Sequence, residues 1–312
     1  MYQIKGYEQK KCIYCNSPIV RKNGRRKGLQ RYICYACKKS FTGGEKLPTE
    51  KLWELYTHGK YTYRDLSNRF KVSESTIKRL IKGIKVTFNL ALLPCRVVGL
   101  MDTTYWGRNW GLLVIKDAVS GKILWIKYIK QERLSYYREG VEYLEQLGFV
   151  FDGIVCDGLK GMFQQFGSYK VQMCQFHQVA IIRRYITNNP KLEAGKELKQ
   201  LSKLLTRTDK ESFIAAFDSW HDKWDLFLKE RTVDPATGKS RYLHKKLRSA
   251  YLSLKRNLPY LFVWYDNPEL HIPNTNNALE GLFTELKNKL RNHNGMSKEN
   301  RKRFIDEFFL GI

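Results

Sequence analysis

Apolar side chains follow a helical period through the first part of the chain. Between residues 48 and 84 they recur every three or four positions, which predicts helices at 48–57, 63–70 and 74–84. Ser73 is a typical N-cap for the third helix. Only Lys71 and Val72 separate the second helix from this cap, so the pattern indicates a helix-turn-helix, with a plain three-helix bundle as the alternative.

The period changes to short apolar runs further along the chain, where strands are predicted. The predicted strands are 97–101, 110–116, 122–130, 153–156 and 171–174. An amphipathic helix is predicted at 134–147, between the third and fourth strands, and a short helical piece at 159–167. The order βββαβαβ is that of a mixed α/β sheet of the ribonuclease-H-like type. In this type the first and fourth strands lie side by side at the centre.

A long helical stretch interrupts the α/β pattern at residues 179–272. Aromatic residues such as Phe213, Trp220 and Trp224 recur there at helical spacings, with a turn at 234–238. The stretch is too long for a loop, so we expect an all-helical insertion with its own core. A base-stacking surface is the alternative role for the aromatic residues.

Charge and composition indicate a globular protein with a polyanionic partner. Of 312 residues, 43% are hydrophobic, and 56 Lys and Arg against 30 Asp and Glu give a formal net charge of +26. The phosphate backbone of nucleic acid is the natural partner. The sequence shows no membrane-spanning run, no signal peptide and a cysteine usage typical of a reducing compartment. We therefore expect a cytoplasmic, nucleoid-associated protein with no membrane partner.

Two Cys-x-x-Cys pairs near the start predict a structural zinc site. Cys12 and Cys15 form one pair and Cys34 and Cys37 the other, which supplies four thiolates for one tetrahedral Zn²⁺. The alternative is four unrelated buried cysteines. Up to Gly44 this segment carries 11 Lys or Arg against the single acid Glu8, which is typical of a small ribbon that contacts DNA. The alternative interpretation of this segment is a solvated, charged hairpin that binds no partner.

The expected DNA contacts come from both small modules. In the ribbon they are Arg21, Lys22, Arg25, Arg26 and Lys27, and on the third helix they are Ser75, Thr76, Lys78, Arg79 and Lys82. In a helix-turn-helix this third helix lies in the major groove.

Three carboxylates stand out on this basic chain. Asp102 follows the first predicted strand and Asp157 follows the fourth, while Glu280 lies in the apolar-periodic helix that follows residues 273–275. Acids gathered on a protein that attracts polyanions commonly hold divalent metal ions against phosphates. We expect two Mg²⁺ or Mn²⁺ ions per active site, with Asp102 bridging them. Glu285 is a nearby helical alternative to Glu280.

The predicted organisation has five segments. They are a zinc-binding ribbon at 1–44, a helix-turn-helix at 45–92, the first part of the ribonuclease-H-like core at 93–178, the helical insertion at 179–272 and the final core helices at 273–312.

The chain resembles the DDE transposases of bacterial insertion sequences, in the large group related to Mutator-like elements and in a variant with an N-terminal zinc-binding ribbon. The motifs that carry the resemblance are Asp102 in Met-Asp-Thr-Thr-Tyr, Asp157 in Cys-Asp-Gly-Leu-Lys-Gly, Cys174-Gln-Phe-His177, and Glu280 in Asn-Asn-Ala-Leu-Glu-Gly. The resemblance covers essentially the whole chain. It implies that Asp102, Asp157 and Glu280 are the catalytic triad, and that Cys174, His177 and Asn277 support the active site.

The resemblance also implies an activity and partners. The protein would bind the terminal inverted repeats of its insertion sequence, as at least a dimer, and catalyse metal-dependent strand cleavage and strand transfer on double-stranded DNA. Two departures from the family are the bulky residues 103–107 after the first acid and the short chain beyond Glu280. Recognition of the repeats would therefore depend on the first ninety residues.

Two other classes of function remain open from the sequence. One is a non-catalytic, sequence-specific DNA-binding regulator, which would have no use for the three acids. The other is a ribonuclease-H-like nuclease without strand joining, which would share the acids but would not need two DNA-reading modules.

Overall fold

The computed structural model describes residues 10–26, 28–42, 47–90 and 92–312. The chain divides into two units, Met1–Lys85 and Val86–Ile312. Within the described residues, no helix is both long and apolar enough to cross a membrane.

The first unit begins with a small antiparallel sheet. Its strands are β1 (Val20–Arg26), β2 (Leu29–Cys34) and β3 (Ser40–Thr42), in that spatial order. Its core is very small and consists of Phe41 with buried cysteines. A core of this size needs a further cross-link for stability, which the cysteine cluster described below can supply.

Three helices complete the first unit, and only residues 71–73 separate the second from the third. They are α1 (Thr49–Thr57), α2 (Tyr63–Phe70) and α3 (Glu74–Gly83). Thr62 and Asp65 form a capping box at the start of α2, and Ser73 caps α3 by accepting from the Thr76 N–H. Lys71 ends α2 in the left-handed conformation, with a φ of 50°.

The second unit is built on a five-stranded mixed sheet. The strands are β4 (Arg96–Tyr105), β5 (Gly111–Asp117), β6 (Ile123–Ile129), β7 (Val150–Cys156) and β8 (Val171–Met173). Their spatial order is β6-β5-β4-β7-β8. The first three are antiparallel, and β4 pairs with β7 in parallel. The ribonuclease-H-like fold class is therefore as predicted, with the first and fourth strands adjacent at the centre.

The strand β4 is longer than the sequence predicts. The apolar run ends at Met101, yet pairing with β5 continues from Asp102 opposite Val114 to Tyr105 opposite Gly111. Backbone hydrogen bonds to a neighbouring strand extend β4 into polar sequence, so Asp102 lies within the strand and not after it.

Helices cover the sheet and form the insertion. They are α4 (Leu134–Gln146), α5 (Met162–Gln165), α6 (Gln175–Ile186), α7 (Glu193–Leu204), α8 (Lys210–Lys229), α9 (Lys245–Asn257), α10 (Val263–Asp266), α11 (Asn277–Arg291) and α12 (Lys298–Leu310). Side chains of α4 such as Tyr137 and Leu144 pack on the sheet against Met101 and Leu113. Helix α11 contacts β4.

Aromatic residues of the insertion are buried in a hydrophobic cluster that also includes Met173 of β8. Phe213, Phe217 and Trp220 of α8 are buried there with Tyr251 of α9. Where the sequence predicts only a turn, at 234–238, two short strands form a hairpin, β9 (Arg231–Val233) and β10 (Ser240–Tyr242). The insertion is otherwise helical.

Candidate metal-dependent nucleic-acid site

Asp102 and Asp157 lie at the same level of two neighbouring parallel strands, Asp102 within β4 and Asp157 just after β7. Leu100 of β4 is paired with Val155 of β7, and each aspartate follows its paired residue by two positions. Asp102 Oδ1 accepts a 2.7 Å hydrogen bond from the Thr103 N–H, and Asp157 Oδ1 accepts one of 3.1 Å from the Leu159 N–H. These backbone bonds fix both carboxylates at one edge of the sheet.

Glu280 reaches this edge from the first turn of α11. The side-chain amide of Asn276, just before α11, donates a 2.8 Å hydrogen bond to the carbonyl oxygen of Met101. The backbone N–H of Asn276 donates to Cys174 Sγ at 3.2 Å. The start of α11 is thereby attached both to β4, next to Asp102, and to the start of α6.

A cavity of about 420 Å³ opens where these elements meet. Asp102 and Glu280 line it, together with His177 and the cationic side chains Arg183 and Lys287. A cavity lined by both carboxylates and cationic side chains suits a metal-bound phosphate.

Burial raises the pKa of the Asp102 carboxyl to about 7. The Thr103 N–H opposes this rise, and the charges of Asp157, Glu280 and Glu132 add to it. A buried carboxyl whose pKa is raised by neighbouring negative charges is stabilised in its charged form by a bound cation. Carboxylate oxygens are the ligands that Mg²⁺ and Mn²⁺ prefer, so this set of donors fits a divalent metal.

Glu132, in the loop between β6 and α4, is a fourth acid that sequence reasoning missed. The Tyr137 hydroxyl donates a short hydrogen bond to Glu132 Oε1 and lies 3.0 Å from the Thr103 hydroxyl. Burial raises the pKa of Glu132, and the charge of Asp157 adds to the rise. In the sequence, this residue stands between Gln131 and Arg133 and has the pattern of a solvated loop, so no signal marks it.

Cys174 and His177 lie beside Glu280. His177 Nδ1 is 3.6 Å from Glu280 Oε1, and the ligand atoms of all three residues fall within 4.8 Å of one another. The neighbouring Cys174 sulfur raises the pKa of His177. Cys174 is fully buried, and its backbone N–H donates to the carbonyl of Cys156 at the end of β7. This pair therefore connects β7, α6 and α11.

Two further residues that the sequence singles out, Asn277 and Glu285, are exposed on α11. Asn277 is exposed on α11, whereas its neighbour Asn276 is fully buried and makes the contacts with β4 and Cys174. Glu285, the helical alternative to Glu280, is exposed and forms an ion pair with Lys289 at 3.0 Å. Helix geometry explains this, since a residue five positions along points well away from the first.

The four N-terminal cysteines form a cluster. Cys12 Sγ lies 3.6 Å from Cys37 Sγ, Cys15 Sγ lies 3.6 Å from Cys34 Sγ, and all four sulfurs are within 4.8 Å of one another. Four sulfurs at about 2.3 Å from one tetrahedral zinc ion would be about 3.8 Å apart. Backbone hydrogen bonds from Cys37 and Ala36 lower the pKa of the Cys34 thiol, while the pKa of Cys15 is raised to about 12, because the backbone hydrogen bond from Ser17 is outweighed by desolvation and the neighbouring cysteine sulfurs. The geometry and chemistry fit Zn²⁺.

Most of the predicted DNA contacts are on the surface of the first unit. In β1, Arg21, Lys22, Arg25 and Arg26 are exposed, and so are Ser75, Lys78, Arg79 and Lys82 on α3. Thr76 is half-buried, with its hydroxyl 3.0 Å from that of Ser73. Lys27 lies outside the described residues.

No family model and no curated protein matches this sequence. Among solved structures, the chain is similar to the Drosophila P element transposase strand transfer complex, at 10% identity and a TM-score of 0.41, over 86% of this chain and 93% of that one. It is also similar to the simian T-cell lymphotropic virus intasome in complex with PP2A regulatory subunit B56 gamma, at 13% identity and a TM-score of 0.21, over 51% and 69%. Likenesses this distant say nothing of activity, so the function rests on the site.

Proposed function

We propose that the protein is a DNA transposase of the DDE type. It binds the terminal inverted repeats of an insertion sequence and catalyses metal-dependent strand cleavage and strand transfer. By its motifs it would belong to the bacterial group related to Mutator-like elements.

The observation that carries the proposal is the arrangement around Asp102. Asp157 follows the neighbouring parallel strand, Glu280 lines the same cavity, and the charges of both raise the pKa of Asp102. Three carboxylates from two strands and a helix, beside Arg183 and Lys287, are suited to bringing metal ions and a phosphate together on a chain of net charge +26.

Each residue then has a defined task. Asp102, Asp157 and Glu280 would hold two Mg²⁺ or Mn²⁺ ions, which when bound supply an activated nucleophile and stabilise the leaving oxygen. Asn276 and Cys174 keep the start of α11 against β4, so that Glu280 faces Asp102. Arg183 and Lys287 attract the scissile phosphate. A reaction of this kind needs no covalent intermediate on a Ser or Tyr side chain.

The first unit would supply sequence recognition. Its exposed cations on β1 and α3 suit phosphate and groove contacts, and a structural zinc ion would hold the small ribbon together. Bringing two transposon ends together requires at least a dimer.

A joining assay separates this function from its rivals. Purified protein receives pre-cut DNA ends, taken from the inverted repeats that flank its gene, together with a target plasmid and Mg²⁺ or Mn²⁺. We expect joined products. Nicking without joining would support the nuclease instead, and metal-independent binding with neither reaction would support the regulator.

A further inference from the structure

A second cavity of about 410 Å³ lies beside the β4–β5 hairpin, away from the carboxylates. Its lining includes the half-buried rings of Trp110 and Tyr128, which are nearly parallel at 7° with centroids 6.3 Å apart. Trp106 extends this aromatic surface, 5.1 Å from Trp110. The size is in the range of sites that hold small organic ligands.

Cations from the start of α12 lie near these rings, and Glu299 of the same helix also lines the cavity. Lys298 and Arg301 lie 5.8 and 5.6 Å from the centre of the Trp110 ring, and Lys302 lies 5.2 Å from that of Tyr128. The Tyr128 hydroxyl donates a 2.7 Å hydrogen bond to Asp306, which holds its ring in place. An aromatic surface edged by cations suits the bases and phosphates of single-stranded nucleic acid.

The register of the sheet relates this cavity to the carboxylates. Thr104 is opposite Leu112, which in turn is opposite Tyr128. Residues two apart on a strand share a face, so Asp102, Thr104 and Tyr128 lie on the same face of the sheet. Trp106 follows Asp102 by four residues, which corresponds to roughly 13 Å along the strand. The Trp106 N–H donates a hydrogen bond to the Trp110 carbonyl oxygen, so Trp110 lies at the level of Trp106.

We propose that Trp110 and Tyr128 form a stacking site for an unpaired base of the DNA strand that is cut or joined at the carboxylates. The roughly 13 Å along the strand from Asp102 to the level of Trp110 corresponds to about four nucleotides of a stacked strand at about 3.4 Å each, or fewer if the strand is stretched. Lys298, Arg301 and Lys302 contact the flanking phosphates. The inference builds on the proposed transposase function, and it assigns the β4–β5 hairpin and α12 to holding DNA opened next to the reacting phosphate.

The test compares two duplexes of the same sequence, one blunt and one with four unpaired nucleotides at one end. Dissociation constants are measured by fluorescence anisotropy without Mg²⁺ or Mn²⁺. The two duplexes share the same paired sequence, so the ratio of the two constants reports the contribution of the unpaired bases. We expect the wild type to prefer the unpaired end and Trp110→Ala to reduce this preference about tenfold, within the roughly 5- to 150-fold that loss of one base stack allows.

Matched variants make the result specific. Trp110→Phe keeps a ring and should keep most of the preference. Tyr143→Ala, which removes an exposed ring on α4, should leave it unchanged. An unchanged ratio in Trp110→Ala, or equal weakening of both duplexes, would overturn the stacking site and leave only phosphate contacts.

A second measurement needs no variant and so does not depend on folding. Wild-type protein is irradiated with DNA that carries 5-iodouracil at each unpaired position in turn, and the linked peptide is identified by mass spectrometry. We expect attachment to Trp110 or Tyr128, and attachment only elsewhere contradicts the site. Neither measurement requires catalysis, so the stacking site and the proposed reaction can fail independently of each other.

Discussion

The side-chain amide of Asn276 donates a hydrogen bond to the backbone carbonyl oxygen of Met101, the residue immediately before Asp102. This one hydrogen bond connects the helix that carries Glu280 to the strand that carries Asp102. Because Asn276 is fully buried, water cannot replace the bond if it is lost.

Replacing Asn276 tests this connection. Asn276→Ala should lower the cleavage rate about 10- to 100-fold, as expected when a residue that orients a metal ligand is lost, with little change in DNA affinity. The measurement is kcat beside the dissociation constant for end-containing DNA. Asn277→Ala, at the exposed neighbouring position, is the matched control. Equal losses in both variants would mean that Asn276 has no special role.

The raised pKa of Asp102 predicts how stability depends on pH. Its ordinary value is 3.8 and its folded value about 7, so between these the folded state binds more protons than the unfolded state. This group therefore contributes its full stability below about pH 4, and the contribution is lost as the pH rises to about 7.

Thermal unfolding without divalent metal should show this slope, and Asp102→Asn should flatten it and raise Tm at neutral pH. Mg²⁺ should raise the Tm of the wild type at neutral pH more than that of the variant, because binding to the folded state stabilises it. If Tm of Asp102→Asn depends on pH as steeply as that of the wild type, a group other than Asp102 causes the pH dependence.

The negative charge of Glu132 should strengthen metal binding at Asp102, Asp157 and Glu280. Glu132→Gln keeps an acceptor for the Tyr137 hydroxyl but removes a negative charge. We expect the Mn²⁺ concentration for half-maximal cleavage to rise by up to about tenfold. Glu139→Gln, an exposed α4 acid paired with Lys127, is the control and should behave as the wild type. No difference between the two would exclude Glu132 from the site.

The cysteine cluster predicts one zinc ion per chain. Cys34→Ser should abolish zinc binding and unfold the ribbon, because its core is too small to be stable without the metal. Cys95→Ser removes an exposed cysteine outside the cluster and should keep the zinc. Metal analysis of the purified variants checks this, and full zinc content in Cys34→Ser would rule out the proposed ligand set.

Sequence patterns predicted the parts of the molecule that follow from local periodicity and strand order. Asp102 and Asp157 could be paired in advance because a ribonuclease-H-like order makes their strands neighbours. The roles of Glu132 and Asn276 could not be predicted from the sequence, since they depend on partners that are distant in the sequence, Asp157 for Glu132 and Met101 for Asn276. The extension of β4 was missed for a related reason, because β5 holds polar residues in the strand.

Asp102, Asp157 and Glu280 are proposed to act as one metal-dependent site on DNA. This proposal is tested most directly by measuring Mn²⁺-dependent cleavage of end-containing DNA by Asp102→Ala, Asp157→Ala and Glu280→Ala beside Glu285→Ala. We expect each of the first three variants to lose cleavage while still binding DNA, and Glu285→Ala to keep cleavage. Cleavage that survives in any of the first three variants would show that the three carboxylates do not form the metal-dependent site.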